Sequence, residues 1–208
     1  MEKSYIEKMN QDYLCQLVFT QKQIKNIESL VNRGIEEKLY TYCKVPFHNM
    51  KHIEKVLMYA QWILNEKKNE IIKNQDILFL ACLYHDYGRS LGASNKMHGI
   101  IGAKETAKKL EGTLSEKDII TIEFLIETHA SRNDKVDFKN IVLNEKEKAE
   151  IQKLSDILKD ADALDRDRFY PMPFVTCNSN YLRTEEAKNI HTVSHHFQRE
   201  YKKAIHNR

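Results

Sequence analysis

A chain of 208 residues with six glycines and three prolines has room for one domain with a sizeable core. It falls well short of the roughly 12% average usage of those two residues, which excludes collagen-like and Pro/Gly-rich low-complexity classes. Lys and Arg number 33 against 30 Asp and Glu, so the net charge of +3 leaves no large nucleic-acid or membrane footprint.

Apolar residues at helical spacing mark two N-terminal packing helices, about 3 to 20 and 22 to 40, the second through Ile24, Ile27, Val31, Ile35 and Leu39. Pro46 breaks the chain, and a helix from about 48 to 66 aligns His48, His52, Val56, Tyr59 and Ile63 on one inward stripe. A helix from Asp76, the expected N-cap, to near Gly88 contains the longest apolar run, Ile77 to Tyr84, and is expected to be buried on every side. Eight apolar residues are far fewer than the roughly 18 to 20 that cross a bilayer. The charged N-terminus lacks a signal-peptide pattern, so a cytoplasmic location is expected.

His85 and Asp86 close that run. A loop from Arg89 to Met97 leads into a helix from His98 to about Leu110, rich in small residues. Ser115 with Asp118 resembles a capping box for a helix whose inner face runs Ile119, Ile122, Ile126 and His129. After a polar loop from 131 to 147, the segment 148 to 165 has an apolar stripe with Ile151, Leu154, Leu158, Asp162 and Asp165. Lys153, Asp156 and Asp160 fall on the opposite, exposed face, so periodicity selects Asp162 over Asp160 as the inward carboxylate. Pro171 and Pro173 mark an irregular segment, and a helix from about 183 to 205 ends the chain. Its histidines, His191, His195, His196 and His206, are expected on the surface. The four cysteines, Cys15, Cys43, Cys82 and Cys177, form no C-x-x-C pair, which argues against a disulfide framework or a zinc ribbon.

His48, His52, His85, Asp86, His98, His129 and Asp162 thus all fall at inward or helix-end positions. Buried groups of this kind cost several kcal/mol each without partners, and a divalent metal is the simplest common partner. Imidazole and carboxylate ligands suit Mn, Fe, Co, Ni or Zn, with Mg a further candidate.

Three segments, H-I-E-K-V at His52, A-C-L-Y-H-D-Y-G-R at His85 and Asp86, and K-D-A-D-A-L-D at Asp162, resemble the signature of the HD-domain superfamily of metal-dependent phosphohydrolases. The resemblance spans about residues 45 to 168. It implies an all-α fold, a single-domain HD-type helical bundle over 1 to 208 with the metal site among the central helices. It also implies His52, His85, Asp86 and Asp162 as ligands of one ion per chain. His48, in F-H-N-M-K-H, matches a histidine that in related phosphodiesterases protonates the leaving oxygen; helix capping is its plainer role. Arg89 stands where many HD proteins carry a phosphate-clamping cation, with a surface salt bridge as the alternative. His98 and His129 match histidines that either hold a second ion with Asp86 or contact substrate phosphate.

The resemblance therefore implies hydrolysis of a phosphate ester or phosphoanhydride, in a nucleotide or similar small phosphorylated metabolite, with Asp86 helping to position or deprotonate water. Two other readings share these residues: an HD-type di-iron oxygenase and a non-catalytic nucleotide-binding module. The expected partner is a small phosphorylated substrate, with no membrane or polymeric nucleic acid. A homodimer through terminal helices stays open, with no heptad run to argue for it.

Overall fold

The computed structural model describes residues 19–40, 49–68, 70–131, 143–169 and 176–206. The predicted helix at 3 to 20 lies almost wholly outside them. His48, Pro46, Pro171, Pro173, Cys15, Cys43 and the side chain of His206 lie outside the described residues as well. Among the described residues every regular element is helical: α1 (Gln21–Glu36), α2 (Met50–Glu66), α3 (Gln75–Tyr84), α4 (Tyr87–Ser90), α5 (His98–Leu110), α6 (Glu116–Thr128), α7 (Glu145–Asp165) and α8 (Glu185–His206). Short 3-10 turns occupy Arg166–Phe169 and Ser179–Tyr181. The all-α expectation holds.

Local chemistry sets the boundaries. Thr20 and Gln23 form a reciprocal capping box at the start of α1. That helix stops at Glu36, short of the expected residue 40, because Lys38 turns left-handed at φ 54° and the Leu39 amide folds back onto the Gly34 carbonyl at 3.0 Å. Asn144 and Glu147 form a second box and start α7 at Glu145, three residues earlier than the apolar stripe indicated. Ser115 accepts from the Asp118 amide, while its hydroxyl donates to the Asp118 carboxylate. Asp76 is not a cap. The cap position is Asn74, at φ 56° and with no side-chain cap bond, and Asp76 lies in the first turn.

Helix α3 is buried from Ile77 to Tyr84 and packs on α1, α2, α5, α6 and α7. It is the central post. α2 was expected to hide one stripe, yet every residue from His52 to Ile63 is buried, Glu54, Lys55 and Gln61 included. It is enclosed because α1, α3, α7 and α8 all pack against it.

The central helix was expected to run to near Gly88 with a loop from Arg89, but α3 ends at Tyr84 and residues 87–90 form the separate single turn α4, which lies against α5. Glycines permit the close contacts of α5: a Cβ on Gly88 of α4 would stand 2.1 Å from the His98 carbonyl oxygen, and one on Gly99 would stand 2.8 Å from the Glu127 carbonyl oxygen of α6. Both obstacles are backbone and cannot swing aside. Gly88→Ala is therefore expected to push α5 off α4 and cost about 3 kcal/mol, the upper end for overpacking. Denaturant unfolding of the variant measures this.

Candidate metal centre

Five separate segments deliver side chains to one pocket. His52 comes from the first turn of α2, fixed by Asn49, whose side chain accepts from the Lys51 and His52 amides. His85 and Asp86 lie where α3 breaks: Asp86 leaves the helix at φ −101°, ψ 9°, the bridge region in which many active-site residues sit. His98 opens α5, His129 follows α6, and Asp162 stands in the last turn of α7. Of these, His52, His85, Asp86, His98 and His129 are buried, whereas the Asp162 side chain is 33% exposed and gives the pocket its open side.

The atoms fall into two groups that share Asp86. In the first, His52 Nε2 lies 3.2 Å from His85 Nε2, 3.5 Å from Asp86 Oδ2 and 3.4 Å from Asp162 Oδ1. His85 Nε2 lies 3.6 Å from Asp86 Oδ2 and 3.8 Å from Asp162 Oδ1. In the second, His98 Nε2 lies 3.1 Å from His129 Nε2, and these two stand 3.3 and 3.7 Å from Asp86 Oδ1. Ligand atoms on one tetrahedral ion with bonds of about 2.0–2.1 Å are separated by about 3.3 Å, close to the edges among His52, His85 and Asp86 and among Asp86, His98 and His129, while Asp162 approaches the two imidazoles of the first group from outside that three-residue cluster.

The proton positions decide what these contacts are. His85 Nδ1 lies 2.8 Å from the Cys82 carbonyl, His98 Nδ1 2.8 Å from the Asn95 carbonyl and His129 Nδ1 2.6 Å from the Ile126 carbonyl. A carbonyl only accepts, so in each ring Nδ1 carries the hydrogen and, when the ring is neutral, Nε2 presents its lone pair. Burial pushes His85 down to about 4 against the pull of Asp86 and Asp162. Burial, aided by His129, pushes His98 down to about 4 as well, against Asp86. Two Nε2 lone pairs facing each other at the 3.1 Å separation of His98 and His129 would repel unless a cation lay between them, and the neutral imidazole is the form that ligates.

The chain matches the family model for the HD domain over residues 49–167, more than half its length. It belongs to the HD domain family. No curated protein and no solved structure gives a significant match. The HD family is of metal-dependent phosphohydrolase type, and the His and Asp groups of this chain's HD domain could hold metal ions. No described helix is long and apolar enough to cross a membrane.

The residues around this HD centre hold its side chains in place. Asp165 Oδ2 accepts from His52 Nδ1 at 2.7 Å, a carboxylate that fixes the ring so that Nε2 points inward. Lys55 Nζ meets Asp165 Oδ1 at 2.7 Å, Gln198 donates to the same oxygen at 2.8 Å, and Arg168 donates to Oδ2 at 2.8 Å. Burial works against the charge on Asp165, yet Lys55, His52 and Arg168 together hold it well below the usual carboxylate range. Burial also opposes a charge on His52, but the bonds to Asp165 and Asp86 raise its pKa. Periodicity had put Asp165 on the inner stripe without a role; Lys55, Arg168 and Gln198 carried no signal at all.

Arg89 makes a salt bridge, but not at the surface. Its Nε donates to Asp86 Oδ1 at 2.7 Å and one Nη to the Asn95 side chain at 2.6 Å, and the side chain is mostly buried, so this is no surface pair. Asp160 is a correction. It was expected on the exposed face but is fully buried, since residues 183 and 184 cover that side of α7. Its carboxylate accepts from the Arg183 amide and from the amide and hydroxyl of Thr184 at 2.8–3.0 Å, and the Thr184 hydroxyl in turn caps the Ala187 amide of α8. Asp160→Ala is expected to cost about 3 kcal/mol by orphaning these donors, and to leave the metal content unchanged. Thermal unfolding with elemental analysis separates this anchor role from ligation.

Proposed function

We propose that this HD protein hydrolyses a phosphate ester or phosphoanhydride of a nucleotide or similar small phosphorylated metabolite. The observation that carries the reading is the single carboxylate, Asp86, shared between two groups of inward-facing imidazole nitrogens. His52, His85, Asp86 and Asp162 would hold one divalent ion, and Asp86, His98 and His129 a second. Such ions lower the pKa of water toward neutrality and offset charge on phosphoryl oxygens.

The protein's own part is positioning and proton handling. Arg89, braced by Asp86 and Asn95, keeps a permanent positive charge at the edge of the centre, where it attracts phosphate. The half-exposed Asp162 side admits substrate and water, and the buried histidines keep the opposite side dry. His48, four residues before His52 in the sequence, is the proposed donor to the leaving oxygen. His48→Ala is expected to lower turnover about 10²-fold with metal content unchanged, measured by steady-state kinetics and elemental analysis; unchanged turnover removes the role.

The test of the function is metal analysis of anaerobically purified protein, followed by phosphate release from a nucleotide panel with Mn, Fe, Co, Ni, Zn or Mg. Metal bound together with phosphate released supports hydrolysis. A second reading rests on the same six side chains, since four His and two Asp around a shared carboxylate also suit a di-iron oxygenase. Two irons per chain with dioxygen consumption and no phosphate release would select it. Nucleotide binding without turnover under every metal would leave a binding module.

A further inference from the structure

Away from the HD centre, Asp167 is buried at 1% exposure in the 3-10 turn that follows α7. Its oxygens accept from the Cys177 amide at 3.1 Å and from the Ser194 hydroxyl. Among the described residues no Lys or Arg forms an ion pair with it, an expensive state for a buried carboxylate. His191 on α8 holds its Nε2 3.7 Å from Asp167 Oδ2, and this nitrogen is buried with no hydrogen-bond partner among the described residues. His195 follows one turn later on the same helix face, with its ring centroid 6.1 Å from that of His191. One ligand atom from each of the three residues falls within 4.8 Å of the others.

We infer that Asp167, His191 and His195 form a second transition-metal site, sharing no residue with the HD centre, in which a zinc-class divalent ion staples α8 to the turn after α7. The donor set is two imidazoles at i and i+4 plus a carboxylate, a combination suited to Zn, Co or Ni. The 3.7 Å edge needs a contraction of only a few tenths of an ångström to reach the separation of two ligands on one ion. One cation answers both oddities, the buried carboxylate without a cation and the orphaned Nε2. A surface cavity of about 420 Å³ beside His191, lined also by Ser179, Asn180, Lys188 and Thr192, lets water complete the coordination. Oxygen Oδ2 keeps a lone pair for the ion while it accepts from Ser194, whose hydroxyl also lies 2.9 Å from the His191 carbonyl and holds that turn of α8 in place.

The staple has a reach beyond its own residues. Gln198, on the turn of α8 after His195, donates to Asp165, and Asp165 orients His52. An ion at Asp167 therefore fixes the helix that braces the HD centre.

Equilibrium dialysis of the full chain against zinc, with elemental analysis, tests the site. His195 is exposed, so His195→Ala removes a donor without touching the core. The expected result is one zinc fewer per chain than wild type in both His195→Ala and His191→Ala, and a zinc-dependent rise in Tm that is smaller in these variants. His196→Ala, exposed and outside the group, serves as the control and keeps the wild-type count. Asp86→Ala is expected to retain this one zinc, so the site stands or falls independently of hydrolysis at the HD centre. Wild-type zinc counts in both His191→Ala and His195→Ala, or an equal loss in His196→Ala, would overturn the inference.

Discussion

Asp86→Ala is expected to empty both ligand groups at once and to lower turnover at least about 10³-fold, equivalent to about 4 kcal/mol of barrier. No other substitution at the centre does this, because Asp86 alone contributes to both: Oδ2 faces His52 and His85, and Oδ1 faces His98 and His129. Its loss would leave four imidazoles in two groups with no anionic group shared between them, and would take from Arg89 the oxygen it holds at 2.7 Å. Asp162→Ala touches only the first group, so it is expected to reduce metal content in part. Elemental analysis of the two variants beside wild type, with circular dichroism to verify folding, reads the difference. Equal metal content in Asp86→Ala and wild type would rule out the shared-carboxylate reading and with it the proposed chemistry.

What could be read from the sequence was what local periodicity encodes. An eight-residue apolar run ending in His-Asp announces a buried helix that hands polar groups to a core, and α3 is that helix. The stripe through Ile151, Leu154 and Leu158 points Asp162 inward by its 3.6-residue repeat alone. Asp160 escaped because α7 is covered on two sides, by α2 on one and by residues 183 and 184 on the other, so a polar residue on its second face is buried too. A single hydrophobic stripe cannot report a second cover made of backbone amides. Lys55 escaped for a related reason: its partners Asp165 and Gln198 lie 110 and 143 positions further along the chain, and nothing near Lys55 in the sequence marks them. His191 and His195 looked like tail residues because their counterpart, Asp167, sits in a turn that breaks the helical repeat.

Asp165→Ala is expected to be among the most destabilising single changes in the described fold, at about 3–5 kcal/mol, the range for breaking one side of a buried ion pair. The Lys55 side chain is 7% exposed and Asp165 is fully buried, so solvent would do little to replace the carboxylate. Arg168 and His52 would lose the same acceptor. For a chain of this length such a loss corresponds to roughly 10 °C in Tm, which differential scanning calorimetry resolves easily. Stability and positioning can then be separated by the double variant Lys55→Met, Asp165→Leu. Replacing a buried ion pair with apolar side chains of similar size often restores stability, so this variant is expected to recover much of the lost Tm. It cannot restore the hydrogen bond that fixes the His52 ring. Metal affinity at the first group should therefore stay about 10- to 100-fold weaker than wild type, the usual penalty for removing a partner that orients a metal-binding histidine. Recovery of both quantities together would mean that packing alone orients His52. Recovery of Tm without recovery of metal affinity would identify Asp165 as the group that aims His52 at the centre.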